Sequence, residues 1–98
     1  MAMIALTLYG RPECHLCDEM KAIVQPVAVD FGCAIETIDI AGDADLERRF
    51  GHEIPVLFVN GRKAFKYRVT AAELARRLSQ KRRPFLSRLL GAIGKDPS

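Results

Sequence analysis

Residues 10–18 read GRPECHLCD, two cysteines held two residues apart between Arg11 and Asp18. Three chemistries fit such a pair: a redox centre, half of a zinc site, or two buried thiols. Its surroundings help to weigh them. Upstream, residues 3–8 (MIALTL) form a short continuous apolar run that reads as a strand buried on both faces. Downstream, Leu16, Met20, Ile23, Val24 and Val27 fall on one face of a helix beginning near Cys14. The cysteines thus stand where a strand gives way to a helix. At that junction unpaired backbone N–H groups and about half a positive charge favour a thiolate. Cys14 lies where those groups point, and Cys17, one turn later, is placed to attack a mixed disulfide formed at Cys14. The spacing therefore makes Cys14 the nucleophile and Cys17 the resolving thiol, with His15 beside them as a tuning residue. Arg11 adds a positive field that Glu13, Asp18 and Glu19 oppose. A structural zinc site usually joins two such pairs, and only one is present; His15 lies within it, but Cys33 opens a strand where a small thiol is commonly just buried and His52 lies in a separate loop, so no metal is expected.

The helix should bend at Pro26 without stopping and end at Gly32. Residues 33–40 (CAIETIDI) alternate as a second strand. Asp43 caps a short helix carrying Leu46 and Phe50, which Gly51 closes. Residues 55–59 (PVLFV) are a third strand, Asn60 and Gly61 a two-residue hairpin turn, and residues 62–68 a fourth strand. Thr70 and Glu73 form a capping box ahead of a helix whose Leu74 and Leu78 face inward. The order is βαβα followed by ββα. Glu53 and Ile54 precede Pro55, and a proline opening an inner strand withholds an N–H from the ladder. A cis Ile54–Pro55 bond accounts for it and would turn the backbone of Ile54 outward toward an extended substrate.

Ninety-eight residues with 49% hydrophobic content suit one compact domain. Three cysteines cannot all pair, the N-terminus shows no charged leader, and no apolar run approaches the ~20 residues of a membrane span; a cytoplasmic, soluble protein is expected. Charge is polarised along the chain: residues 1–60 carry a net −6 and residues 61–98 a net +9. The arginines are not interleaved with aromatic residues, so a solvated face is read here and nucleic acid is not expected as a partner. The domain proper is placed at residues 1–83. Residues 84–98 are read as an extra amphipathic helix and tail, with Phe85, Leu86, Leu89, Leu90 and Ile93 on one stripe.

With CHLC after the first strand, IPV opening the third and an NG hairpin beyond it, residues 3–80 resemble the thioredoxin superfamily. Within it they are most similar to small glutaredoxin-like bacterial proteins that share RPxCHLCD and IPVLFVNG. The resemblance implies an α/β fold with a four-stranded mixed sheet flanked by helices, a cis-proline at Pro55 beside a Cys14–Cys17 disulfide, and thiol–disulfide exchange led by Cys14. It also implies substrate contacts at Arg11 and Arg68. The chain departs from glutaredoxins in three places: His15 and Leu16 replace a proline and an aromatic between the cysteines, Glu53 and Ile54 replace Thr-Val, and Tyr67–Thr70 replace a Gly-Gly turn that holds glutathione. The expected function is reduction of protein disulfides or glutathione mixed disulfides, with glutathione or a flavin-dependent reductase as electron donor and no resident cofactor. The alternative is a binding or metal-carrying module whose basic C-terminal half recruits a partner.

Overall fold

The computed structural model describes residues 3–82, with the side chains of the last two left aside; the helix expected at 84–98 lies outside them. Seven elements follow in chain order: β1 (Ala5–Gly10), α1 (His15–Phe31), β2 (Ala34–Asp39), α2 (Ala44–Phe50), β3 (Val56–Val59), β4 (Arg62–Lys66) and α3 (Ala71–Arg82). The strands form one mixed sheet in the order β2-β1-β3-β4. β1 and β2 run parallel, from Ala5 opposite Ala34 to Gly10 opposite Asp39, and α1 supplies the crossover that a parallel pair requires. β3 lies antiparallel to β1, with Tyr9 opposite Val56, and β4 antiparallel to β3, with an irregularity between Leu57 and Phe58.

Local chemistry accounts for the joints. α1 runs through Pro26, which sits on its exposed side while Val24, Val27 and Ala28 are buried. It ends where the Gly32 and Cys33 N–H groups turn back to Val29 and Ala28 carbonyls. Asp43 caps α2 by accepting from the Asp45 and Leu46 N–H groups. The hairpin turn has φ of 50° at Asn60 and 81° at Gly61, the left-handed pair that an Asn-Gly sequence tolerates. At α3 the capping box is complete: Thr70 Oγ1 accepts from the Glu73 N–H, and the Glu73 carboxylate accepts from the Thr70 N–H.

Alternation along the strands divides the core in two. Leu6, Leu8, Leu57 and Val59 face α1 and α3, packing on Met20, Val24, Leu74 and Leu78. Tyr9, Val56 and Phe58 face the other way, against Leu46 and Phe50 of α2 with Ile40. β1 is therefore not buried evenly on both faces, as its apolar run suggested. Leu6 and Leu8 are buried, Thr7 is half-buried and Ala5 exposed, because α2 is only seven residues long and covers the carboxyl end of its face alone.

Candidate active site

The turn after β1 contains Arg11, Pro12 and Glu13, the last in the left-handed region at φ 63°, a conformation that costs a non-glycine residue ~1 kcal/mol. Cys14 follows as the N-cap of α1, extended at φ −102° and ψ 113°. Its Sγ accepts the Cys17 N–H at 3.1 Å, so the sulfur takes the place of the oxygen that usually caps a helix. Cys14 and Cys17 are joined as a disulfide with Cα atoms 5.2 Å apart. The two sulfurs are not equivalent: Cys14 is half-buried, whereas Cys17 is only 7% exposed.

Gly10 makes room for the buried partner. A Cβ at Gly10 would fall 2.9 Å from Cys17 Sγ and 3.2 Å from its Cβ, closer than packed carbons come. The sequence carries a signal for this, since a glycine at the end of an apolar strand marks a close approach. Gly10→Ala should accordingly destabilise the oxidised protein by about 1–3 kcal/mol through overpacking. Urea unfolding of the oxidised forms checks it; a midpoint equal to that of the unsubstituted protein would mean that Cys17 does not seat against Gly10.

Across the sheet, Tyr9 opposite Val56 brings the end of β1 level with the entry to β3, where the Ile54–Pro55 bond is cis. The Pro55 side chain is fully buried and Ile54 half-buried. Tyr67, just beyond β4, pins this entry by donating its N–H to the Pro55 carbonyl at 2.8 Å and its hydroxyl to the His52 carbonyl at 3.0 Å. This clasp was not foreseen, because it depends on contacts across the sheet.

The charged residues divide between two carboxylates. On one side, Arg11 Nη2 donates to Glu47 Oε1 of α2, both side chains about one-third exposed. Arg11 also lines a cleft of about 280 Å³ with Cys17, Asp18, Lys21 and Asp39. On the other side, Glu19 faces His15 Nε2 at 3.2 Å and Arg68 Nη1 at 3.9 Å. His15 and Arg68 are thereby brought together through Glu19, and Arg11 is held apart from them. Arg68 borders a second cleft of about 350 Å³ floored by Met20, Ile23 and Val69. Cys33 precedes β2 at the opposite end of the sheet, packed on the α1–α3 core. Among the described residues no three His, Cys, Asp or Glu side chains converge as a metal site, and no helix is long and apolar enough to cross a membrane.

Glu53, next to Ile54, is titrated below its ordinary value of 4.5, chiefly by a hydrogen bond from Lys63 and further by the charges of Lys63 and Lys66, with partial burial opposing. Between the depressed value and 4.5 the folded chain holds fewer protons here than the unfolded one. The stability that Glu53 contributes is thus complete above 4.5 and lost as pH falls through the depressed value. An NMR titration should place the Glu53 midpoint below 4.5 and return it upward in Lys63→Ala; a midpoint at or above 4.5 in the unsubstituted protein would contradict the pairing.

A family model described as glutaredoxin-like domain (DUF836) matches residues 5–79. The target protein XcR50 from X. campestris, solved by X-ray methods, is 34% identical, with 76% of this chain and 96% of that one covered at a TM-score of 0.61. The solution structure of protein Ne2328 from Nitrosomonas europaea is 28% identical over 79% of this chain and 93% of that one, with a TM-score of 0.67. Chloroplastic thioredoxin z, 13% identical, shares the fold at a TM-score of 0.64 over 80% of this chain and 77% of that one. A strand-to-helix turn bearing Cys14 and Cys17, the entry to β3 beside it and a family match spanning the whole sheet agree in pointing to redox chemistry, and the chain belongs to the glutaredoxin-like domain family of the thioredoxin superfamily.

Proposed function

We propose that the chain is a thiol–disulfide oxidoreductase that reduces protein disulfides or glutathione mixed disulfides by a dithiol mechanism. The observation that carries this reading is the asymmetry of the pair: an accessible sulfur capping α1 and a buried one a turn below it. In the reduced protein the Cys17 N–H and the positive end of α1 stabilise the Cys14 thiolate. That thiolate attacks one sulfur of the substrate disulfide, forming a Cys14–substrate bond and releasing the other sulfur as a thiolate that takes a proton from solvent. Cys17 then attacks Cys14 Sγ, its proton passing to the departing substrate sulfur. The mixed disulfide breaks, the second substrate thiol leaves, and two electrons have passed from the cysteines to the substrate, leaving Cys14–Cys17 oxidised.

Around this centre Ile54 and Pro55 dock the substrate backbone. Arg11 and Arg68 meet carboxylates of a bound peptide or of glutathione, exchanging them for Glu47 and Glu19. His15, answering to Glu19, tunes the charge beside the nucleophile. Glutathione or a flavin-dependent reductase returns the electrons, and no metal or organic cofactor enters any step. A cytoplasmic location, where the pair cycles against a reducing pool, suits this role.

The test is an equilibrium titration against glutathione buffers, read by alkylation and mass spectrometry. Cys14 and Cys17 should move together in one two-electron transition, at a potential between the roughly −270 mV of a reductant and the −120 mV of an oxidant. Two cysteines that stay open to alkylation across every buffer would sink the proposal.

A further inference from the structure

The charge polarity of the chain becomes a spatial polarity in the fold. Among residues 61–82 there are eight Lys and Arg and a single acidic residue, Glu73. Because the sheet order is β2-β1-β3-β4, exposed Glu36 and Asp39 occupy one edge strand while exposed Arg62, Lys63 and Lys66 occupy the other. Charges on an edge strand hinder indiscriminate strand pairing, which explains why cations are tolerated on β4. It does not explain their sign or their run toward the entry to β3.

The position follows from the register. Lys66 stands opposite Val56, and the next residue, Tyr67, bonds the Pro55 carbonyl, so the basic edge ends at the Ile54–Pro55 entry. Arg68 follows at once, its backbone turned by a bond to the Lys66 carbonyl. Glu53 takes up Lys63, and Glu19 lies near Arg68. Lys66, lying 5.4 Å from the Tyr67 ring centroid, and Arg76, exposed on α3, form no salt bridge with a carboxylate among the described residues. Lys66 and Arg68 thus stand beside the entry to β3, whereas the cleft at Cys17 carries Arg11 and Lys21 together with Asp18 and Asp39.

We propose that this basic edge selects the protein partner: the favoured substrate is a disulfide-bearing protein with an acidic segment alongside its disulfide, laid along β4 toward α3. The proposal rests on the oxidoreductase reading and names its substrate class. Complementary charge of this kind chiefly raises the rate of productive encounter and is weakened by salt. A basic segment in the same place would meet Lys66 and be repelled.

The experiment uses the full chain, reduced beforehand and freed of reductant, in single-turnover reactions. Three peptides carry the same intramolecular disulfide with acidic, neutral or basic flanks, and bis(2-hydroxyethyl) disulfide serves as an uncharged small substrate. At low ionic strength the acidic peptide should react at least about fivefold faster than the basic one, with the difference shrinking as salt is added. Lys66→Glu should lower the acidic peptide's rate severalfold, leave the small disulfide unaffected, and speed the basic peptide; Lys66→Gln should fall between. Equal rates for the three peptides, or a loss in Lys66→Glu shared by the small disulfide, overturns the docking proposal while leaving the oxidoreductase reading intact. Failure to reduce any of the four overturns both.

Discussion

In the Cys14→Ser protein, disulfide reduction is expected to fall by at least ~1,000-fold, because the group that attacks substrate is gone and a serine hydroxyl is not ionised near neutral pH. The substitution is unusually clean for a structural reason. Cys14 is the N-cap of α1, its sulfur accepting the Cys17 N–H, and serine is a preferred residue there. Compared in the reduced state, the variant should therefore keep its helix and its unfolding midpoint while losing turnover, which separates lost chemistry from lost structure. Cys17→Ser should behave differently. Attack at Cys14 still occurs, but nothing resolves it, so a covalent adduct with glutathione or a peptide thiol should build up and be seen as a mass increase that dithiothreitol reverses. The 7% exposure of Cys17 adds a direction: adducts should form at Cys14 in the Cys17→Ser protein far faster than at Cys17 in the Cys14→Ser protein. Full turnover in Cys14→Ser, or adducts forming equally fast at either cysteine, would remove the assignment of roles.

Elements whose limits depend on local chemistry were legible in advance. The Thr70–Glu73 box, the Asn60–Gly61 turn and the Asp43 cap each bind their own neighbours in sequence, and each stands where expected. Strand limits were less legible, because partners set them. The first strand was read at residues 3–8, yet β1 runs Ala5–Gly10, since Gly10 still pairs with Asp39 of β2. Pro55 was counted into the third strand and lies just before β3, its carbonyl engaged by Tyr67 rather than by a ladder partner. At the site, the cysteine spacing and the proline after Ile54 were visible as residues, and the cis bond was expected from them. The ion pair of Arg11 with Glu47 was not visible, for the two are 36 residues apart and meet only once α2 has docked. The contact of His15 with Glu19 was within reach, four residues apart on one helix face, but Glu19 was weighed only as a charge opposing Arg11.

The docking of α2 is where folding and the site are joined, and Phe50 is expected to control it. A seven-residue helix does not persist alone in water. α2 has a good cap in Asp43, but Phe50 is its only fully buried side chain, 3% exposed. The Phe50 ring stacks on Tyr9 at 4.7 Å and meets Phe58 edge-on at 5.6 Å, closing the smaller of the two core clusters with Ile40 and Val56. Phe50→Ala should therefore cost about 3–5 kcal/mol from lost burial and an uncollapsed cavity. Against a total stability of ~5–15 kcal/mol, that is enough to bring the urea midpoint down by a large fraction. Phe50→Leu, which keeps much of the volume, should cost less than half as much. The consequence reaches the cysteines because Glu47, one turn before Phe50, holds Arg11, and Arg11 begins the turn that delivers Cys14. Loosening α2 frees that guanidinium into the cleft beside Cys17, so Phe50→Leu, still folded, should react with peptide disulfides at an altered rate even though residue 50 touches neither sulfur. A Phe50→Ala protein as stable as the original would show that the face of the sheet beneath α2 does not depend on Phe50. A Phe50→Leu protein with unchanged kinetics would show that the Arg11–Glu47 pair does not transmit the state of α2 to the redox turn.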